Sequence, residues 1–131
     1  MGAQINKTVL IIEKQPNYTQ LLVKQIMFAG LTPVVAVTGT GGLRKVEECQ
    51  PDLILLEMEL TDMDGLDFVL TVRRKPEADH IPIVAMSTFP HMKAKALQGG
   101  CNEFLLKPVK MIDLMRHVKK FLRQEAKAGG V

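Results

Sequence analysis

The chain has 131 residues, 47% hydrophobic and 24% charged, with a formal net charge of +3, a composition ordinary for one globular domain able to bury a core without staples. No apolar run reaches the length of a membrane span, and Met1-Gly2-Ala3-Gln4 lacks a signal-peptide pattern, so a cytoplasmic chain without a membrane role is expected. Cys49 and Cys101 match no metal or redox spacing and read as buried free thiols, and the scattered His80, His91 and His117 give no metal site.

In chain order, Thr8-Val9-Leu10-Ile11-Ile12 is a β-branched apolar run that predicts a strand buried on both faces. Pro16 opens a predicted helix with Tyr18, Leu21, Leu22, Ile26 and Ala29 on its apolar stripe, and Gly30 closes it. Residues 33–37 form a second strand, and the turn Thr38-Gly39-Thr40-Gly41-Gly42 leads into a short helix ending near Cys49. Residues 53–56 are a third strand. A loop over 59–65 precedes a helix to about Arg74, and residues 81–86 are a fourth strand. A weakly amphipathic segment, 93–98, ends at Gly99-Gly100, and 104–106 is a fifth strand. Met111, Leu114, Met115, Val118, Phe121 and Leu122 mark a final helix at i, i+3, i+4, i+7 spacing. One domain is expected over 1–131, with a core at about 7–124 and a flexible tail at 125–131.

Strand and helix alternate five times and every strand looks doubly buried. This predicts a flavodoxin-like doubly wound α/β fold, a five-stranded parallel sheet in order 2-1-3-4-5 with helices on both faces. Sites in such folds lie at the carboxyl ends of the strands, here Glu13, Lys14, Glu57, Ser87, Thr88 and Lys107. Charge divides along the chain. Residues 1–90 hold eight basic and eleven acidic residues, whereas 91–131 hold nine basic and three acidic. One end of the fold is therefore acidic, and Arg116, Lys119, Lys120 and Arg123 make a basic face on the last helix.

Five segments in this order resemble the receiver domain of two-component response regulators. They are 9–13 (Val-Leu-Ile-Ile-Glu), 51–56 (Pro-Asp-Leu-Ile-Leu-Leu), 63–66 (Met-Asp-Gly-Leu), 81–85 (Ile-Pro-Ile-Val-Ala) and 104–108 (Phe-Leu-Leu-Lys-Pro). The resemblance covers about residues 7–124 and implies a cis Lys107–Pro108 bond. It also implies a pocket in which three carboxylates hold Mg²⁺ and a Ser or Thr and a Lys grip the phosphoryl group. Glu13, Ser87 and Lys107 match that pattern. Two positions depart: Lys14 replaces the second acid, and Glu57 stands at the phosphoacceptor position. Thr61 also replaces a usual proline and Phe104 a frequent Tyr.

With Glu13 and Glu57 against Lys14 and Lys107, the pocket is electrically neutral, so Mg²⁺ binding and ordinary phosphorylation are expected to be lost. Glu57 is then either a phosphate mimic reaching Ser87 and Lys107 or a partner of Lys14 that fills the metal position. The second is preferred, because a carboxylate carries one negative charge where phosphate carries nearly two. Ser87 and Phe104 resemble the family's switch pair, the alternative being a core ring beside a strand-end hydroxyl. The Gly-rich turn 38–42 could hold an anion at a helix N-terminus, but it fits no nucleotide fingerprint.

These observations predict a non-catalytic pseudo-receiver that binds a protein (a histidine kinase, regulator or output protein) or dimerises through the last helix. The alternatives are a receiver phosphorylated on Glu59, Asp62 or Asp64, and a nucleic-acid-binding domain using the basic helix.

Overall fold

The computed structural model describes residues 6–130, with side chains described through Leu122. Five strands alternate with five helices. They are β1 (Thr8–Ile12), α1 (Pro16–Phe28), β2 (Thr32–Ala36), α2 (Gly39–Cys49), β3 (Leu53–Glu57), α3 (Gly65–Arg73), β4 (Ile83–Ser87), α4 (Met92–Gly99), β5 (Glu103–Leu106) and α5 (Met111–Gly130). The strands form one parallel sheet in order β2-β1-β3-β4-β5, as predicted.

Successive side chains of a strand point to opposite faces, so helices on both faces demand a continuous apolar run. Leu10, Ile12, Ile54, Leu56, Ile83 and Ala85 meet Val46, Phe68, Val69, Val72 and Ala96 of α2, α3 and α4. Val9, Ile11, Leu53, Leu55, Val84 and Met86 meet Leu22 and Ile26 of α1 and Leu114, Val118 and Leu122 of α5. Burying one such side chain contributes roughly 1.5–3 kcal/mol, so the three central strands carry most of the driving force.

Double burial holds for β1, β3 and β4 but not for β2 or β5, each of which has an exposed residue. These two are the sheet edges, and one side of each faces water. β4 starts two residues later than expected. Pro82 has no N–H to give a ladder, and the Ile81 carbonyl accepts from Arg73 Nη1 at 2.8 Å instead of a strand neighbour.

Other expectations need correction. The buried stripe of α1 is narrower than the sequence suggests, because Leu21 and Ala29 are exposed. Cys49, the last residue of α2, is also exposed, whereas Cys101 is buried and its thiol is pushed up to about 11 by that burial. The glycines of 39–42 are not a turn before α2 but its first turn. Thr38 is the N-cap and accepts from the Gly41 N–H at 3.0 Å. The backbone of α5 is helical to Gly130, and the expected loose tail falls on residues whose side chains lie outside those described. No helix among the described residues is long and apolar enough to cross a membrane.

Candidate functional site

The parallel register brings Ile12, Leu56 and Ala85 level, so the residues that follow them converge at one edge of the sheet. Glu13 follows β1, Glu57 and Ser87 end β3 and β4, and Lys107 follows β5. Glu13 and Ser87 are 0% exposed and Glu57 is 2% exposed. The Lys107 ammonium donates to Glu13 Oε1 at 2.7 Å and to Glu57 Oε1. It also lies 4.6 Å from the centre of the Tyr18 ring. Three partners thus surround one cation in a largely dry site.

Burial alone would lower the Lys107 pKa, but the bonds and charges of Glu13 and Glu57 outweigh it and raise the value. Burial would likewise raise Glu57. The bonds from Lys107 and Glu59 prevail and hold its carboxyl below the ordinary range. The remaining oxygens are committed as well. Glu57 Oε2 accepts the Glu59 N–H at 2.8 Å, and Glu13 Oε2 accepts the Gln15 N–H at 3.1 Å.

Ser87 belongs to a second, linked group. Its hydroxyl donates to Glu59 Oε2 at 2.9 Å and accepts the Phe89 N–H at 3.0 Å. Burial and the neighbouring Glu57 carboxylate push Glu59 up to about 7, against the opposing bond from Ser87 and the charge of Lys14. The anticipated Lys14–Glu57 pair is absent from the described ion pairs. Glu57 is taken by Lys107, and half-buried Lys14 acts on Glu59. A single Glu57 carboxylate reaching both Ser87 and Lys107 is not found either, since Glu57 meets Lys107 and Glu59 meets Ser87. Thr88 is exposed beside the pocket. Phe104 is half-buried and packs on the core under α2, α3 and α4. The Lys107–Pro108 bond is cis.

The N-terminus of α2 does hold an anion, and it belongs to the chain itself. Asp62 Oδ1 accepts the Gly39 N–H at 2.8 Å, while Oδ2 accepts the Thr40 N–H at 2.9 Å and the Thr40 hydroxyl at 2.7 Å. The Thr40 hydroxyl, followed by these N–H groups, lowers Asp62 to about 2. Asp64 caps α3 by accepting from Leu66 N at 2.9 Å.

On α5, Arg116 pairs with Asp113, Lys120 donates to Glu103 at 2.9 Å, and Lys119 is exposed. The Arg123 side chain lies outside the described residues. The sequence assigned Tyr18 only to the core stripe of α1. In the structure its ring also faces Lys107, and its hydroxyl accepts the Val109 N–H at 3.0 Å. Its phenol pKa is raised by burial, against the bond from Val109. One polar tip on a helical stripe was the only signal available.

A doubly wound sheet with buried acids, a Ser and a Lys at the ends of strands 1, 3, 4 and 5 defines a receiver-type signalling domain. The chain belongs to the response regulator receiver domain family, whose model matches residues 9–119. It is 28% identical to the polar-differentiation response regulator DivK of Brucella ovis over 121 residues, which span 90% of this chain and 98% of DivK. A two-component response regulator from Clostridium difficile is 27% identical with a TM-score of 0.84, over 92% of this chain and 98% of that one. The receiver domain of the sensor histidine kinase PA1611 from Pseudomonas aeruginosa PAO1 was crystallised with a magnesium ion coordinated in its active site cleft. It is 23% identical with a TM-score of 0.82, over 89% and 98% of the two chains.

Proposed function

We propose that this receiver domain works in a two-component or phosphorelay pathway without taking phosphate on Glu57, and that it signals by binding a protein. The observation that supports this is the Lys107 ammonium, held by both Glu13 and Glu57, with Lys14 at the place of the family's second acid. The residues present suit Mg²⁺ poorly. The ion wants several hard oxygen ligands, and these carboxylate oxygens already serve Lys107 and backbone N–H groups. Each fixed cation near a divalent ion adds repulsion of roughly 4 kcal/mol per unit pair at 4 Å in a surface-like dielectric. Without an ion, little neutralises the charge spread over a transferring phosphoryl group. Glu57 also sets its carboxylate about 1.5 Å farther out than Asp would, beyond what in-line transfer tolerates.

Other acceptors are less suited. Asp62 and Asp64 are engaged in holding the first turns of α2 and α3, and Glu59 is bonded to Ser87 and shares charge with Glu57. Catalysis is not part of this reading. A histidine kinase, regulator or output protein, or a second copy of the chain, would meet the exposed face of α5 around Arg116 and Lys119.

Intact mass after incubation with a small-molecule phosphodonor and Mg²⁺ tests the reading against the double variant Lys14→Asp, Glu57→Asp. The expected outcome is no gain for the native chain and one phosphoryl group on the variant. A phosphoryl gain on the native chain overturns it, and the modified residue identifies the acid that took over.

A further inference from the structure

The loops after β3 and β4 border an open groove of about 580 Å³ next to the acid pocket. Its walls include the half-buried Leu60, Met63 and Met92, together with Met58, which is only 1% exposed. Phe89 also lines it, with 48% of its surface exposed and its ring 5.6 Å from that of His91. Met63 is backed by α2, where a Cβ at Gly39 would lie 2.5 Å from Met63 Cγ. The rim is acidic through Asp62 and Asp64, joined by Glu59, whose carboxyl is pushed up to about 7 and so carries its full charge only above neutral pH. None of the described ion pairs involves these three acids. Asp62 and Asp64 are instead satisfied by backbone N–H groups, which orient a carboxylate without cancelling its charge.

We propose that this groove docks a short basic amphipathic segment of a partner protein, with an apolar side chain among the methionines and Lys or Arg over the acidic rim. Methionine is unbranched and polarisable, so a methionine-lined surface adapts to differently shaped anchors. A half-exposed aromatic ring beside it supplies the large contact area typical of binding hot spots. The charge pattern selects the sign of the occupant. A second copy's α5 is a poor candidate, because Leu114, Val118 and Leu122 are buried against its own sheet and, among its described side chains, Ile112 is the one large apolar group that is mostly exposed, too little for an apolar stripe. The groove also touches the pocket directly, since Glu59 lines it and accepts from Ser87, whose oxygen in turn accepts from Phe89 N. The proposal does not rest on the absence of phosphate chemistry, and it stands or falls whichever way the phosphodonor experiment turns out.

The test uses the full chain with methyl-labelled methionines, titrated with a fluorescent amphipathic Leu/Lys helical peptide and with a scrambled peptide of the same composition. The Met58, Met63 and Met92 methyl resonances are expected to shift, while Met111 and Met115 on α5 stay in place. Anisotropy should show binding that weakens with salt and falls by at least about tenfold in Phe89→Ala. Thr61 is exposed on the rim, so Thr61→Lys adds a repelling charge without disturbing the core and should weaken binding too. Shifts confined to Met111 and Met115, equal binding of the scrambled peptide, or no binding at millimolar peptide overturns the proposal.

Discussion

Lys107 shows how much of the pocket depends on one side chain. Its side chain is 10% exposed, so its charge is tolerable only because Glu13 and Glu57 lie against it. Removing one member of a buried ion group leaves the others uncompensated, which costs about 3–5 kcal/mol. Lys107→Met should therefore lower the unfolding free energy obtained from urea titration by that order, since two buried carboxylates would face each other. Glu57→Gln should cost less, because Lys107 keeps Glu13. A Lys107→Met protein as stable as the native one would mean that the acids find another partner. The pocket's membership was legible in the sequence, because strand ends in this topology must converge. Its pairing was not. β1 ends at Ile12 and the chain bends at Lys14, so Glu13 is buried while Lys14 stays half-buried and acts on Glu59, and Lys107 takes the place at Glu57, an arrangement that no local pattern signals.

The loop between β3 and α3 holds the acids in place, and its geometry rests on Gly65. The Gly65 N–H donates to the Met58 carbonyl at 2.9 Å, and a bridge joins Glu59 to Asp64. A Cβ at Gly65 would lie 2.7 Å from Met58 Cα and 2.8 Å from Met58 O. Both are backbone atoms directly after Glu57, so neither can swing aside. Gly65→Ala is expected to destabilise by about 1–3 kcal/mol through this overpacking. Guanidinium unfolding measures the loss, and a change within about 0.3 kcal/mol would show that the loop yields. Loops of this kind are where sequence reading is weakest. Apolar runs and spacing located the five strands and helices α1 and α5 directly, because they report burial, whereas α2 and α3 were placed from the turn and loop before them. Periodicity could not show that Asp62 crosses from this loop to cap α2, since that contact joins residues 22 and 23 positions apart with no local pattern. Nor could it separate edge strands from central ones: Val34 and Val35 look like core in sequence whichever neighbour they have.

At the scale of the whole molecule, the acids gathered at the strand ends make stability depend on pH in two opposed ways. Glu57 and Asp62 have folded pKa values below their ordinary ones of 4.5 and 3.8. Their stabilisation is present above those ordinary values and is lost as pH falls through the lowered ones. Glu59 has the opposite sign. Its folded value, about 7, lies above the ordinary 4.5, so the folded chain binds more protons than the unfolded chain between the two. Its contribution is full below pH 4.5 and is lost as pH rises through about 7. The melting temperature is therefore expected to decline from mildly acidic toward neutral pH and also to fall in strong acid. Glu59→Gln separates the two effects. It keeps an oxygen that can accept from Ser87 but cannot ionise, so the neutral-side decline should flatten while the acid-side loss remains. Thermal unfolding of both proteins from pH 3 to 8.5 makes the comparison, and a neutral-side slope unchanged in the variant would assign the decline to another group. Since Glu59 lines both the pocket and the neighbouring groove, flattening would also mean that loading charge onto this one carboxyl strains the surface where the two meet.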